Sequence, residues 1–320
     1  MKTFDEIYNE LQNSENNELN NAWIEAKKES KKSKKIATII CLIIDILFII
    51  KNLKNIINCD SPFLILFIII FVLIINLMIF IISTIISSFS KKQIQFNKKY
   101  KNIVIKKLMD NFYSNLEYFP DKPMPEYIYK QLEYEYYNEY ESDDYFEAQI
   151  DNKYSIQMAE ILTEEEKTYQ DDEGNTRTET IKKFHGLFAK IMMGKSINSE
   201  LRIMQNGAMT LSKNRLKMDS SEFEKYFDVK TSDSIIGMQL LTADVMEELV
   251  DFENKTKMKY DICIKNDELY IRFHSGSMFE VRNIKRGALD KDSIQKYFNI
   301  LNFTYNLSNR LINIVNDTQI

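Results

Sequence analysis

The sequence predicts an α+β protein in which an N-terminal two-helix transmembrane hairpin precedes a cytoplasmic mixed domain with antiparallel strands and a long C-terminal helix. Three observations predict it. Two apolar stretches, residues 36–57 and 62–89, stand close together and are flanked on both outer sides by lysine. Beyond residue 152, apolar and polar residues alternate with the period of a strand in grouped segments. From about Asp290 the period becomes that of a helix and holds almost to the end. Strands grouped between helices favour α+β over a doubly wound α/β sheet.

Residues 1–35 read as a cytoplasmic N-terminal segment, a solvated amphipathic helix with Phe4, Ile7, Leu11 and Trp23 as its apolar points. Next comes the hairpin, residues 36–89, with spans of about 36–57 and 62–83. A bilayer core of roughly 30 Å needs about 20 apolar residues in a helix, because no water is present to satisfy exposed backbone groups. The second stretch holds FLILFIIIFVLIINLMIFII, with Asn76 its one polar residue. The first carries Asp45 and must run to Ile57, which places Lys51 and Lys54 where their stems can snorkel. Asn58, Cys59, Asp60 and Ser61 would make the connection. Lys31, Lys32, Lys34 and Lys35 precede the first span, and Lys91, Lys92, Lys98 and Lys99 follow the second. By the positive-inside rule both termini would lie in the cytoplasm, with the protein in the cell membrane. A cleaved signal peptide is not expected, since the first apolar run begins after 35 residues, many of them acidic.

Residues 90–125 form a membrane-proximal helix and a proline boundary: Ile94, Val104, Leu108, Phe112, Leu116 and Phe119 recur at helical spacing until Pro120, Pro123 and Pro125 stop them. The mixed domain, residues 126–320, opens with tyrosines interleaved with carboxylates over 126–147. Two readings stand for it: a surface for a basic partner, or a half-buried element whose hydroxyls stay wet. Tyr154, Ile156 and Met158 begin a strand that turns through Asp171, Asp172, Glu173, Gly174 and Asn175 into a second long strand over 176–193. Asp219, with Glu222 three residues on, would cap a short helix, and Thr242 a second one. Tyr260, Ile262 and Ile264 pair with Leu269, Ile271 and Phe273 in a hairpin. The last helix carries its apolar stripe through Ile294, Phe298, Leu301, Tyr305, Ser308, Leu311 and Val315.

Charge and cysteine content narrow the function. The net charge of −5 averages a lysine-rich region beside the hairpin and an acidic one beyond it. Those lysines point to a bilayer with anionic headgroups as partner, and their position outside the mixed domain argues against nucleic acid. Cys41, Cys59 and Cys263 supply neither a disulfide framework nor a zinc ligand set.

The blocks Phe184-His185-Gly186-Leu187-Phe188, MDSSEFEKYFDV over 218–229, Asp233, and Leu241-Thr242 followed by a Met-Glu-Glu-Leu helix resemble the bacterial membrane family called Domain of Unknown Function 3137. The resemblance implies two membrane helices and a cytoplasmic mixed domain with no assigned catalytic residues. The sequence departs from the family in lacking proline after Thr242, and in having Gly237-Met238-Gln239 where a basic-aromatic pair is common.

Three constellations are candidates for chemistry. Residues 189–196, AKIMMGKS, satisfy a loose phosphate-binding loop in which Gly194, Lys195 and Ser196 would hold a nucleotide. Such a loop needs a helix directly after it, and the alternative is a hairpin turn at Gly194-Lys195. His274, Asp261 and Cys263 would lie on the side of the last hairpin facing away from the core, with Asp261 facing Arg272 and Cys263 facing Tyr270. A Cys-His-Asp set competes there with a cross-strand ion pair. Asp45 is an ion site or a partner of Asn76 in helix association.

These readings converge on a membrane-anchored scaffold, adaptor or sensor that is not an enzyme, with no cofactor and no metal. A protein partner and self-association through the hairpin are expected. The alternative is a nucleotide-binding protein.

Overall fold

The computed structural model describes residues 1–14, 16–57, 62–88, 90–170, 174–205, 215–281 and 287–317. In chain order its elements are α1 (Phe4–Ser14), α2 (Asn16–Ile57), α3 (Pro62–Ser88), α4 (Lys91–Tyr100), a π-helical turn (Lys101–Ile105), α5 (Lys106–Phe112), β1 (Ser114–Phe119), α6 (Glu126–Lys130), β2 (Glu139–Ile150), β3 (Tyr154–Gln170), β4 (Thr176–Met192), β5 (Glu200–Gln205), β6 (Arg215–Leu216), α7 (Ser221–Tyr226), β7 (Phe227–Thr231), α8 (Ser234–Leu240), α9 (Ala243–Thr256), β8 (Tyr260–Lys265), β9 (Glu268–Phe273) and α10 (Lys291–Asp317). The α+β class stands. The chain divides into two units: a helical unit of Asn9–Ile103 with Val281–Asp290, and a sheet unit of Met1–Tyr8, Val104–Glu280 and Lys291–Ile320.

In the helical unit α2 and α3 pack side by side. Their polar residues meet: Asn76 Nδ2 donates to both carboxylate oxygens of Asp45, at 3.1 and 3.0 Å, and Ser33 and Ser83 lie 3.4 Å apart. The transmembrane hairpin is overturned. Among the described residues no helix is long and apolar enough to cross a membrane. Two spans, and the cell-membrane placement built on them, therefore lack support. The expected connection at Asn58, Cys59, Asp60 and Ser61 lies outside the described residues. So does the turn at Asp171 to Glu173. The helix expected to run out of the second stretch is instead a new one, capped by Ser90, whose hydroxyl accepts from Gln93 N.

In the sheet unit the strands form one sheet in the order β1-β2-β3-β4-β9-β8-β5-β7-β6, every pair antiparallel. The last hairpin keeps the expected register, with Asp261 opposite Arg272 and Cys263 opposite Tyr270. One face is covered by α5, α9 and α10. Phe252 of α9 and Phe303 of α10 pack there on Tyr260 and Phe273. The other face is also covered: Met124, Ile128, Tyr129 and Leu132 pack on Phe184, Phe188, Cys263 and Tyr270. The side of β8 and β9 read as facing away from the core is thus buried, because a segment distant in sequence folds over it. In the tyrosine-rich segment Tyr129 and Tyr145 are buried and Tyr127 and Tyr136 exposed, which is the half-buried element.

Two local readings shift. Leu116 and Phe119 sit on β1 rather than on a continued helix, and Asn115 before them takes a left-handed φ of 51°. The cap of α7 is Ser220, not Asp219; its hydroxyl accepts from Phe223 N.

Candidate functional site

Gly194, two residues past β4, has a left-handed φ of 83°, but no helix follows it, and the chain passes through irregular backbone to β5. The ring of amides that a helix N-terminus would offer to phosphate is therefore not formed at Lys195 and Ser196. Nor is this a hairpin turn: β4 pairs with β9 and β5 with β8, while Met193 N and Ile197 N donate to Asp267 and Asn266 of the β8–β9 turn.

Arg272 anchors a buried polar centre in the sheet unit. Its guanidinium donates to Asp261 at 2.8 Å, to Glu135 at 2.8 and 2.9 Å and to the Tyr129 hydroxyl at 3.0 Å, with the Tyr134 ring 3.7 Å from its central carbon. His274 Nε2 lies 2.9 Å from Asp261 Oδ2. Burial pushes the Asp261 carboxyl up, but the hydrogen bond to His274 and the charge of Arg272 outweigh it and hold the carboxyl below its usual value. Cys263 belongs to no nucleophilic set. Burial pushes its thiol up to about 12, and His274 spends its bond on Asp261.

A second centre was not legible in the sequence. A bulge in β2 between Asp143 and Phe146 puts Asp144 at a left-handed φ of 54° and turns it inward, toward Glu160 of β3. Carboxylate oxygens of Asp143, Asp144 and Glu160 lie within 4.8 Å of one another, the arrangement that could hold a divalent cation among the described residues. Asp143 and Glu160 border a cavity of about 240 Å³ shared with Glu141, His185 and Ser277. Glu160 accepts hydrogen bonds from the backbone N–H groups of Met278 and Phe279. Burial, with the nearby charge of Asp144, pushes its carboxyl up to about 8 despite those donors.

A concavity of about 930 Å³ lies between α9 and α10. Its two walls follow from helical spacing. The apolar stripe of α9 (Val245, Met246, Leu249, Val250, Phe252) faces the sheet, so Asp244, Glu247, Glu248 and Asp251 fall together on the opposite edge. On α10 the buried stripe likewise leaves Asn299, Asn302, Asn306, Asn309 and Asn313 in one row, at steps of three and four residues. Arg310 closes one end, donating to Glu248 at 2.9 Å and Asp244 at 3.4 Å. Glu248, half-buried, has its carboxyl raised by burial against the opposing charge of Arg310. The row of asparagines was visible in the sequence as a heptad-like repeat beside the apolar stripe.

Residues 182–312 match the family model described as protein of unknown function (DUF3137). The chain resembles this family. The DUF3137 match takes in β5 to β9, α7 to α9 and α10 as far as Ile312, hence both walls of the groove except Asn313. It leaves out Asp143, Asp144 and Glu160. No curated protein matches the chain. Among solved structures the chain is similar to the crystal structure of the mycobacterial trehalose monomycolate transport factor A, TtfA, at 6% identity. That similarity covers 66% of this chain and 93% of that one, with a TM-score of 0.32.

Five of the eight lysines expected to flank a membrane are placed by ion pairing or by exposure on α2. Lys92 and Lys99 of α4 pair with Glu25 and Glu18 of α2, each at 2.7 Å. Lys31, Lys32 and Lys35 stand exposed on α2.

Proposed function

We propose that this chain is a non-enzymatic adaptor whose sheet unit binds a protein partner along the α9–α10 groove. One observation carries the reading: the ionisable groups of the two buried centres are turned on one another, whereas Glu247 and Asp251 of the groove stand exposed on α9. Groups positioned for catalysis would show the opposite, a reactive side chain with a base in reach and an open approach. Cys263 is buried with its thiol pushed up to about 12, and His274, though exposed, has its Nε2 turned on Asp261. To test it, a photo-crosslinking residue is placed at Asn306 in the full chain, with Lys296 outside the groove as control. A discrete adduct formed at Asn306 alone, and lost when Asp251 is changed to Lys, is expected. Equal adducts at both positions would sink the reading.

A second reading concerns location. Exposed Lys31, Lys32 and Lys35 adjoin the exposed apolar side chains Ile36, Ile39, Ile40 and Ile43 on α2. That combination suits peripheral attachment to anionic headgroups, at about 1 kcal/mol per lysine near the surface. Co-sedimentation with phosphatidylserine vesicles that weakens in Lys31→Gln/Lys32→Gln/Lys35→Gln supports it. Sedimentation indifferent to those changes or to salt would count against it.

A further inference from the structure

We infer that the occupant of the α9–α10 groove is a lysine- or arginine-bearing α-helix of a partner protein; this rests on the adaptor reading above and names the partner's chemistry. The geometry points to a helix. Successive asparagines on α10, three or four residues apart, recur every 5 Å or so at 1.5 Å per residue. A helix presents side chains on one face once per turn, about every 5.4 Å, whereas an extended chain does so about every 6.8 Å and falls out of step within two repeats. From Asn299 to Asn313 the row runs about 21 Å, room for about four turns.

Charge then selects the occupant's side chains. Arg310 already holds Asp244 and Glu248. Glu247 and Asp251 are exposed, one turn apart, and make no ion pair with a described residue, leaving two carboxylates for cations spaced four residues apart. The asparagine amides, each with two donors and an acceptor, accept polar side chains without demanding charge. The carboxylates thus set the register and the amide row fills in the contact. Phe252 and Phe303, stacked at the floor, keep the two helices from closing the groove.

The test titrates the full chain with fluorescent designed peptides about four turns long. The first is helical with lysines four apart. In the second, two central prolines break the helix at equal charge; in the third, glutamate replaces lysine. Saturable binding of the first is expected, with affinity falling by about tenfold or more for the second, for the third, and for the first on Glu247→Lys/Asp251→Lys chain. Circular dichroism of that variant should match the parent, since both positions are exposed. Equal binding of the proline peptide, equal binding to the variant, or no saturable binding would each overturn the inference. A dimer in sedimentation analysis that the double variant dissolves would do the same, because the occupant would then be a second copy. If these peptides fail while the Asn306 adduct persists, the adaptor reading survives and only the basic helix is lost.

Discussion

The rings of Phe252 on α9 and Phe303 on α10 stack with centroids 4.0 Å apart and planes inclined by 19°. Both also touch Tyr260 and Phe273 of the sheet, so this pair joins the floor of the groove to the core. Replacing Phe303 by Ala removes a buried ring that neighbours on three elements cannot collapse to fill. A loss of about 3–5 kcal/mol in urea unfolding is expected. A loss under about 1 kcal/mol would mean that α10 is loosely attached and the groove is not a rigid surface.

Arg272 is 4% exposed and is shared by Asp261 and Glu135. Arg272→Met keeps the volume but leaves both carboxylates without their cation. Breaking a buried pair in this way costs about 3–5 kcal/mol at neutral pH. The Asp261 carboxyl is held below its usual value in the folded state, so it binds a proton more readily when unfolded. The stability it contributes is present above the unfolded pKa and is lost as pH falls through the lower folded value. Urea unfolding of the parent and of Arg272→Met should therefore converge in the acid range below pH 4 and diverge above it. Parallel curves across pH would contradict this account.

Glu160 gives the opposite sign. Its folded carboxyl titrates at about 8 against an ordinary 4.5, so between these values the folded protein keeps a proton that the unfolded chain has released. Stability then falls as pH rises through that window, by up to about 1.4 kcal/mol per pH unit, and levels off above it. Glu160→Gln retains an oxygen to accept from Met278 and Phe279 and has no proton to lose. The variant should match the parent near pH 4.5 and exceed it in thermal midpoint at pH 8. A variant less stable at both pH values would show that the carboxylate is held ionised by something bound beside Asp144.

Local periodicity made the strands and the last hairpin legible, because register follows from alternation once one face is buried. Asp261 opposite Arg272 could be read from counting alone. What covers that side could not, since Met124 to Leu132 reaches it from far along the chain and α6 is too short to show a period. The bulge at Asp143 and Asp144 was equally hidden: an inserted residue breaks the alternation that would have announced it. The asparagine row of α10 lay in plain view, but composition rich in asparagine made each member look ordinary. Only the placement of α9 beside it gives the row an edge to face. The AKIMMGKS segment misled in the reverse way, since a motif names side chains and the missing helix is a property of backbone. Addition of magnesium and ATP should accordingly leave the thermal midpoint unchanged, in the parent and in Lys195→Ala alike. A rise confined to the parent would restore the phosphate loop.

Gly186 sits in β4 just beyond the last β4–β9 pair, Leu187 with Phe273, and a Cβ there would overlap the carbonyl oxygen of Phe273 and lie 2.7 Å from Ser275 N. Neither is the end of a flexible side chain, so the backbone itself would have to move. Just after β9, Gly276 N donates to the carbonyl of His185 and Ser275 Oγ accepts from Leu187 N, and these bonds fix how β4 lies against β9. Gly186→Ala should therefore cost at least the 1–3 kcal/mol or so typical of overpacking, with the strain concentrated on residues 273–276. Hydrogen exchange gives the sharper measurement. Protection should drop at Leu187 and Gly276 while the amides of α9 and α10 keep theirs, because the substitution strikes the open end of the β4–β9 pairing and not the helix face. Uniform loss of protection would mean that this contact holds the whole sheet unit together.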